Sequence, residues 1–367
     1  MGVEISNRSR NWAYNAVLAL VATVATLGVL ELGFRVLDLR GYHEPRTRAW
    51  DHALVPDDQR LPDVGIQYAP STSFELNYDS NPRGYFDKNR GLRYRINNYG
   101  FRGPDYPLAK PPGVQRIVLI GDSFAFGEGV RFEETLGERL ERRLNERGES
   151  AAPVEILNLG VAGASTLAEL SYLRHRGIAL EPDLILWLYV LNDAGAAHLD
   201  LWENFTQQYE KRWIRGSYLA SYLYARVGRQ ILGQRYIDEL VGRSRTQHNK
   251  WNRSMRRLGE ARDVARSVGA EFLVAIFPFM YRLDDGYPFR EFHDMVSTYC
   301  RDNDIEVLDL FPAFQGQTDT DLWVHPSDQH PNEIGHQIAA DALYRFVGAN
   351  PTMNPGLASP TSAASPD

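Results

Sequence analysis

Cysteine is almost absent: Cys300 stands alone among 367 residues. No internal disulfide can form, and no cysteine-based zinc site can be assembled. Positive charge is also short, with 40 Lys and Arg against 47 Asp and Glu and a net charge of −7. No basic stripe interleaved with aromatics offsets that deficit, so nucleic acid is excluded as a partner class. Internal repeats are missing, which removes solenoids and propellers. Low-complexity sequence is confined to the Ser, Pro and Ala-rich stretch 351–367, whose composition predicts a disordered tail. What is left, 43% hydrophobic and 24% charged, suits one sizeable α/β domain with a smaller appendage.

One long apolar run is present. From Trp12 to Leu30 the sequence is nearly free of charge, and roughly 19 residues at about 1.5 Å each just cross a bilayer core of about 30 Å. Arg8 and Arg10 precede the run, so positive charge places residues 1–11 in the cytoplasm and the remainder outside. No small-residue cleavage pattern follows, since Glu31-Leu32-Gly33-Phe34 reads as uncut. The expectation is a single-pass anchor over 12–34 in a bacterial inner membrane, with the rest facing the periplasm or exterior; a cleaved signal peptide is the alternative.

Residues 35–112 are rich in Pro, Tyr, Asn and Gly and contain short extended runs such as Gly91–Ile96. They read as a juxtamembrane stalk with a few strands packed on the main domain, entered at Pro111-Pro112. From residue 113 to 350, buried-strand runs alternate with helical stretches. Strands are predicted over Arg116–Ile120, Val154–Leu159, Asp183–Leu191, Glu271–Phe277 and Glu306–Leu310. Helices are predicted over Glu133–Arg147, Leu167–Gly177, Phe289–Asn303 and Pro331–Phe346. Strands without polar alternation, joined by such crossovers, predict a parallel sheet covered on both faces. A helical insert at about 199–267 carries Trp202, Trp213, Tyr222, Tyr224 and Trp251. It either caps a site or contributes core.

Chemistry concentrates at four places. Gly121-Asp122-Ser123-Phe124 closes the first core strand, where ligands of parallel sheets gather. A serine there either caps the next helix or serves as a nucleophile with backbone N–H groups beside it. Asp328-Gln329-His330-Pro331-Asn332 near the far end supplies what a serine nucleophile needs: an imidazole base and a carboxylate to fix its tautomer. Pro331 predicts a helix start just after the histidine. Between them, Asn158-Leu159-Gly160-Val161-Ala162-Gly163 follows the second strand and Leu191-Asn192-Asp193 the third. The first allows a tight turn exposing N–H groups, and the second offers a side-chain amide.

In this order the four segments resemble the SGNH hydrolase superfamily, the GDSL-type serine hydrolases, over about Arg116–Val347. The resemblance implies a three-layer α/β/α, flavodoxin-like fold with a mostly parallel sheet, here preceded by a transmembrane helix. It implies Ser123 as nucleophile, His330 as base and Asp328 as its partner. The Ser123 N–H, the Gly163 N–H and the Asn192 side chain would form the oxyanion hole. Asn97-Asn98-Tyr99-Gly100-Phe101-Arg102-Gly103 is similar to a segment preceding the catalytic block in some membrane-anchored bacterial members. Two features depart from the pattern: Val190 stands where the third block usually has glycine, and Asp328 precedes the histidine by two residues where many members use three. The α/β-hydrolase elbow, Gly-x-Ser-x-Gly, fails at Ala125.

The implied reaction is removal of an acetyl or short acyl group from a cell-surface carbohydrate or lipid through an acyl-enzyme on Ser123, with no cofactor. Transfer of the acyl group to a polysaccharide hydroxyl would use the same residues, and a non-catalytic polysaccharide-binding or assembly role is a further alternative. A metal site from His325, Asp328, His330 and His336 fits no standard zinc spacing. Nothing in the sequence indicates an oligomeric state.

Overall fold

The computed structural model describes residues 2–37, 39, 50–78, 81–146, 152–194, 214, 216–224, 241, 242, 245, 246, 248–325 and 328–350. The chain divides into two compact units, one of Met1–Thr47 with His198–Glu239, the other of Arg48–Ala197 with Leu240–Asp367. The proposed tail 351–367, much of the insert including Trp202 and Trp213, and Ser327 lie outside the described residues.

The first unit is built on helix α1, Gly2–Val36. Its stretch Trp12–Val36 has a mean hydropathy of 2.1 and is long and apolar enough to cross a membrane. Near its C-terminal end, Glu31 accepts hydrogen bonds from the Ser217 hydroxyl (2.8 Å), Tyr218 N (3.0 Å) and Leu219 N (2.9 Å). Those amides open the helical segment 218–224, so the carboxylate serves as its cap and satisfies donors with no partner inside their own helix. Arg35 donates to Gly216 O (2.7 Å) and lies 4.9 Å from the Tyr218 ring, while Phe34 meets Tyr222 edge-on at 5.0 Å.

In the second unit five strands form one all-parallel sheet. They are β3 (Gln115–Gly121), β4 (Val154–Asn158), β5 (Leu184–Val190), β6 (Glu271–Phe277) and β7 (Glu306–Asp309), in the order β4-β3-β5-β6-β7. This is the flavodoxin-like order, with its switch point between β3 and β5. Both of those strands are buried at every residue, which is why their sequences are apolar without alternation. The five expected strands are all present, each within about one residue of its predicted ends.

Two helix expectations need correction. The helix predicted from Glu133 begins only at Leu136, because Thr135 is extended (ψ 159°) and separates a 3-10 turn at Phe132–Glu134 from the helix Leu136–Asn145. The last helix spans Glu333–Ala349 and does not start at Pro331. Pro331 instead ends a short strand, β9 (Asp328–Pro331), paired antiparallel with β8 (Trp323–His325). Asn332 is the N-cap, its Oδ1 accepting from Ile334 N and Gly335 N, the role its short amide side chain favours.

Residues 48–112 fall inside this second unit. Strands β1 (Ser73–Asn77) and β2 (Gly91–Arg95) pair antiparallel, and their aromatics Phe74 and Tyr94 stack with Phe126 at 6.5 and 5.4 Å. The later part of the expected insert is the helix His248–Ser267, where Trp251 is buried and stacks on Phe292 at 5.3 Å. That tryptophan is core.

Candidate active site

Ser123 stands directly beyond β3. The chain turns there through a single helical turn, Ser123–Phe126, capped by Asp122, whose Oδ1 accepts from Phe124 N at 2.9 Å. Capping is thus done by Asp122, and the Ser123 hydroxyl is free for another task. Four residues sum to little macrodipole, so what this turn offers at the serine is its local N–H groups.

The carboxyl-terminal segment meets it. His330 Nε2 lies 2.8 Å from Ser123 Oγ, and His330 Nδ1 lies 2.5 Å from Asp328 Oδ1. These groups are 207 residues apart in sequence. Strand geometry accounts for the two-residue spacing: positions i and i+2 share a face, so on β9 Asp328 and His330 face the serine side together. The His330 N–H also donates to Asp328 Oδ1 at 3.2 Å. An ionised Asp328 holds the proton on Nδ1 and leaves the Nε2 lone pair for the serine hydroxyl.

Two residues that sequence reasoning missed complete the surroundings. The Tyr78 hydroxyl, just after β1, donates to Asp328 Oδ2 at 3.0 Å, giving the second carboxylate oxygen a partner. Glu128, with its side chain 9% exposed, places Oε2 4.0 Å from His330 Nε2. A lone tyrosine in a tyrosine-rich segment carries no signal of its own. An acid flanked by Gly127 and Gly129 within the serine block could have been noticed.

Gly129 is needed for this arrangement. Its φ is +85°, and a Cβ there would lie 2.9 Å from the Tyr78 hydroxyl and 2.4 Å from Val324. Its N–H donates to the Tyr94 hydroxyl at 2.8 Å. Arg102, buried under the Tyr94 ring at 4.5 Å, donates to the carbonyls of Phe126, Gly127 and Val130. The Asn97–Gly103 segment therefore clamps the loop that carries the serine and Glu128.

The amide candidates are placed as follows. Asn192 follows β5, and its Nδ2 donates to Asp122 Oδ2 at 2.9 Å, which uses one of its two hydrogens. Its Oδ1 is buried with no hydrogen-bond partner among the described residues. Gly163 turns after β4 with φ +77°. Gly160, in the same loop, packs so closely that a Cβ would lie 2.5 Å from Phe126 N. Val190, at the position where the family usually has glycine, is buried at the end of β5.

Burial disfavours the charged imidazole of His330, but Asp328, Glu128 and Asp122 outweigh it and raise the pKa to about 9. One quarter of the side chain is exposed, so water screens part of this field. Burial, against the hydrogen bonds it accepts, holds the Asp122 pKa above the usual carboxylate range. Ser123 Oγ also lies 3.4 Å from Asp122 Oδ2. With His330 protonated, the hydroxyl proton points to Asp122; with His330 neutral, it can point to Nε2.

The four residues weighed for a metal do not form one set. His336, on the last helix, accepts from Leu136 N at 3.1 Å through Nδ1, and burial lowers its pKa to about 3. Glu128, Asp328 and His330 do offer donor atoms within 4.8 Å of one another. Both imidazole nitrogens are already engaged, so a cation there would compete with the serine contact.

A family model described as GDSL-like Lipase/Acylhydrolase matches residues 119–338. The chain belongs to that family. It is accordingly an ester-hydrolysing enzyme of the GDSL type. A search of curated proteins found no match. Among solved structures, the chain is similar to a protein assigned to the G-D-S-L lipolytic family from Desulfitobacterium hafniense DCB-2. The identity is 16%, the coverage 63% of this chain and 98% of that one, and the TM-score 0.39. It is also similar to the acetylxylan esterase Axe2 from Geobacillus stearothermophilus, at 16% identity, 64% and 94% coverage and a TM-score of 0.40.

Proposed function

We propose that this GDSL enzyme is a serine esterase that removes an acetyl or short acyl group from a cell-surface carbohydrate or lipid. The observation that carries the reading is the continuous relay Asp328 Oδ1, His330 Nδ1, His330 Nε2, Ser123 Oγ, with links of 2.5 and 2.8 Å. Neutral His330 takes the Ser123 proton as Oγ attacks the ester carbonyl, and Asp328 stabilises the imidazolium. The N–H groups of Ser123 and Gly163 and the second Asn192 hydrogen hold the oxyanion. His330 then protonates the leaving alkoxide, and water releases the acyl group from Ser123.

The same proposal keeps α1 as an uncleaved anchor with the enzyme outside. Its support is Glu31, whose carboxylate caps the 218–224 helix; cleavage after the apolar run would leave those amides without it. The test is fluorophosphonate labelling and p-nitrophenyl acetate hydrolysis by the full chain in detergent. Wild type should label and turn over. Ser123→Ala should not label and should lose at least about 10³-fold in kcat. Labelling that persists in Ser123→Ala would refute the assignment.

A further inference from the structure

Glu128 is not needed by a Ser-His-Asp relay, yet it is held against the reacting side of the imidazole. Its N–H donates to Ser123 O at 3.0 Å, as does that of Gly127, so its backbone is fixed to the nucleophile's own turn. Flanking glycines at φ +76° and +85° shape a loop that directs the side chain inward, where it is nearly buried. The carboxylate Oε2 comes to 4.0 Å from Nε2, too long for a hydrogen bond and too short for much to separate them. Nε2 is the nitrogen that must activate the second nucleophile once Ser123 is acylated. An oxygen about 2.8 Å from both Nε2 and Oε2 would see them at roughly a right angle, close to the angle between the two O–H bonds of water.

We propose that Glu128 orients the deacylating water. Resting on the assignment of Ser123 as nucleophile, the step runs as follows. One water hydrogen is donated to Glu128 Oε2 and the other to His330 Nε2. As the water oxygen bonds to the acyl carbon, its proton moves to Nε2. The tetrahedral adduct then collapses, the acyl C–Oγ bond breaks, and Oγ recovers the proton from Nε2–H. Glu128 stays ionised and only accepts a hydrogen bond. The groups facing His330 in this step are Asp328 on its own strand, Asp122, Ser123 and Glu128 on the serine loop, and the Phe124 ring at 5.5 Å.

The geometry also selects the acceptor. A simple alcohol has one O–H, which Nε2 requires, so it would turn an alkyl group toward a nearly buried carboxylate. Glu128 therefore biases the site toward hydrolysis over transfer, two outcomes that the relay alone cannot distinguish.

The test uses full-length protein in detergent with p-nitrophenyl acetate, at a pH where turnover no longer rises with pH. Acid quenching during steady state measures the fraction of Ser123 carrying acetyl. Relative to wild type, Glu128→Gln should keep fluorophosphonate labelling and accumulate acetyl-enzyme. Its deacylation should slow by about 10- to 100-fold, and the share of product captured by added methanol should rise. Glu128→Asp, which keeps the charge, should retain more deacylation than Glu128→Gln. Should Glu128→Gln fail to label, Glu128→Asp carries the same test of acetyl-enzyme accumulation. A pH profile that moves while plateau deacylation and methanol partition stay unchanged would make Glu128 only an electrostatic neighbour and overturn the proposal. Wild type that neither labels nor accumulates acetyl-enzyme would instead refute the nucleophile assignment beneath it.

Discussion

Among the described residues two Asp–His–Tyr groupings stand out, and one of them reaches a serine hydroxyl. In the first, His293 Nδ1 lies 2.7 Å from Asp309 Oδ1 and its Nε2 lies 3.0 Å from the Tyr287 hydroxyl. In the second, His330 makes the same Nδ1 contact to Asp328, but its Nε2 meets Ser123, and the tyrosine, Tyr78, sits behind the aspartate. His293 is fully buried, whereas His330 is one quarter exposed. The dyad is common to both, so it does not make a site. What differs is a hydroxyl at a strand end and access from solvent.

Matched substitutions should separate the two most sharply. Asp328→Asn should lower kcat by about 10³- to 10⁴-fold, because the amide disturbs the tautomer that the serine needs, with only a modest fall in Tm. Asp309→Asn should leave turnover per labelled enzyme unchanged and lower stability by about 1–3 kcal/mol, the cost of a compromised buried hydrogen bond. Active-site titration with a fluorophosphonate, followed by kinetics and thermal melts, reads both. Equal kinetic losses in the two variants would erase the distinction.

The next largest effect is in pH. Burial opposes protonation of His330, but Asp328, Glu128 and Asp122 raise its pKa to about 9, and a base must be neutral to take the serine proton. Well below that value kcat/KM should fall about tenfold per pH unit, which makes roughly fiftyfold between pH 9 and pH 7. Screening at the exposed edge of the ring trims this, and added salt should trim it further. Ordinary imidazole behaviour, with the limb near pH 6.5, would mean that the carboxylates do not act on the ring as placed.

Much of this second grouping was legible in sequence because its parts are local. Uninterrupted apolar runs marked the strands, Gly121-Asp122-Ser123 lay at the end of the first, and Asp328 and His330 sat on one short segment. The flavodoxin-like order followed from a resemblance carried by those same blocks. Tyr78 and Arg102 act through tertiary contact: one reaches Asp328 across 250 residues, the other clamps carbonyls 24 to 28 residues away. No periodicity records such contacts. Residues 35–112 read as a stalk with a few strands packed on the main domain, but which aromatics make that packing, Phe74 and Tyr94 against Phe126, is visible only in the folded chain. The amide of Asn192 was expected to face the oxyanion, and part of it is committed to Asp122, a contact that depends on two strand ends lying side by side.

The tyrosines give a smaller and more discriminating contrast. Tyr78→Phe removes one hydrogen bond from Asp328 Oδ2 and should reduce kcat by about 10-fold, within what loss of a partner holding a reactive group costs. Tyr287→Phe should leave kcat intact and cost about 1 kcal/mol of stability. If Tyr78→Phe changed only Tm, the site would not depend on how Asp328 is held.

The smallest effect compares His330 with His336 through stability, and the signs are opposite. His330 has a folded pKa of about 9, above its unfolded value near 6.5. Its contribution is fully present below pH 6.5 and is lost as pH rises through 9. His336 is the reverse case: burial first, then the positive charges of Arg102, Arg139 and His330, lower it to about 3. The unfolded chain takes up its proton near pH 6.5 while the folded chain refuses it, so stability falls as pH drops from 6.5 toward 3. The part of the Tm curve that these two groups set should therefore peak near pH 6.5, well below the pH of fastest turnover. His330→Ala should flatten the alkaline side of that curve and leave the acid side in place. His336→Gln, which keeps an acceptor for Leu136 N, should flatten only the acid side. A Tm profile whose alkaline side survives His330→Ala would show that another group carries the proton linkage, and the carboxylate cluster around the imidazole would then have to be reassigned.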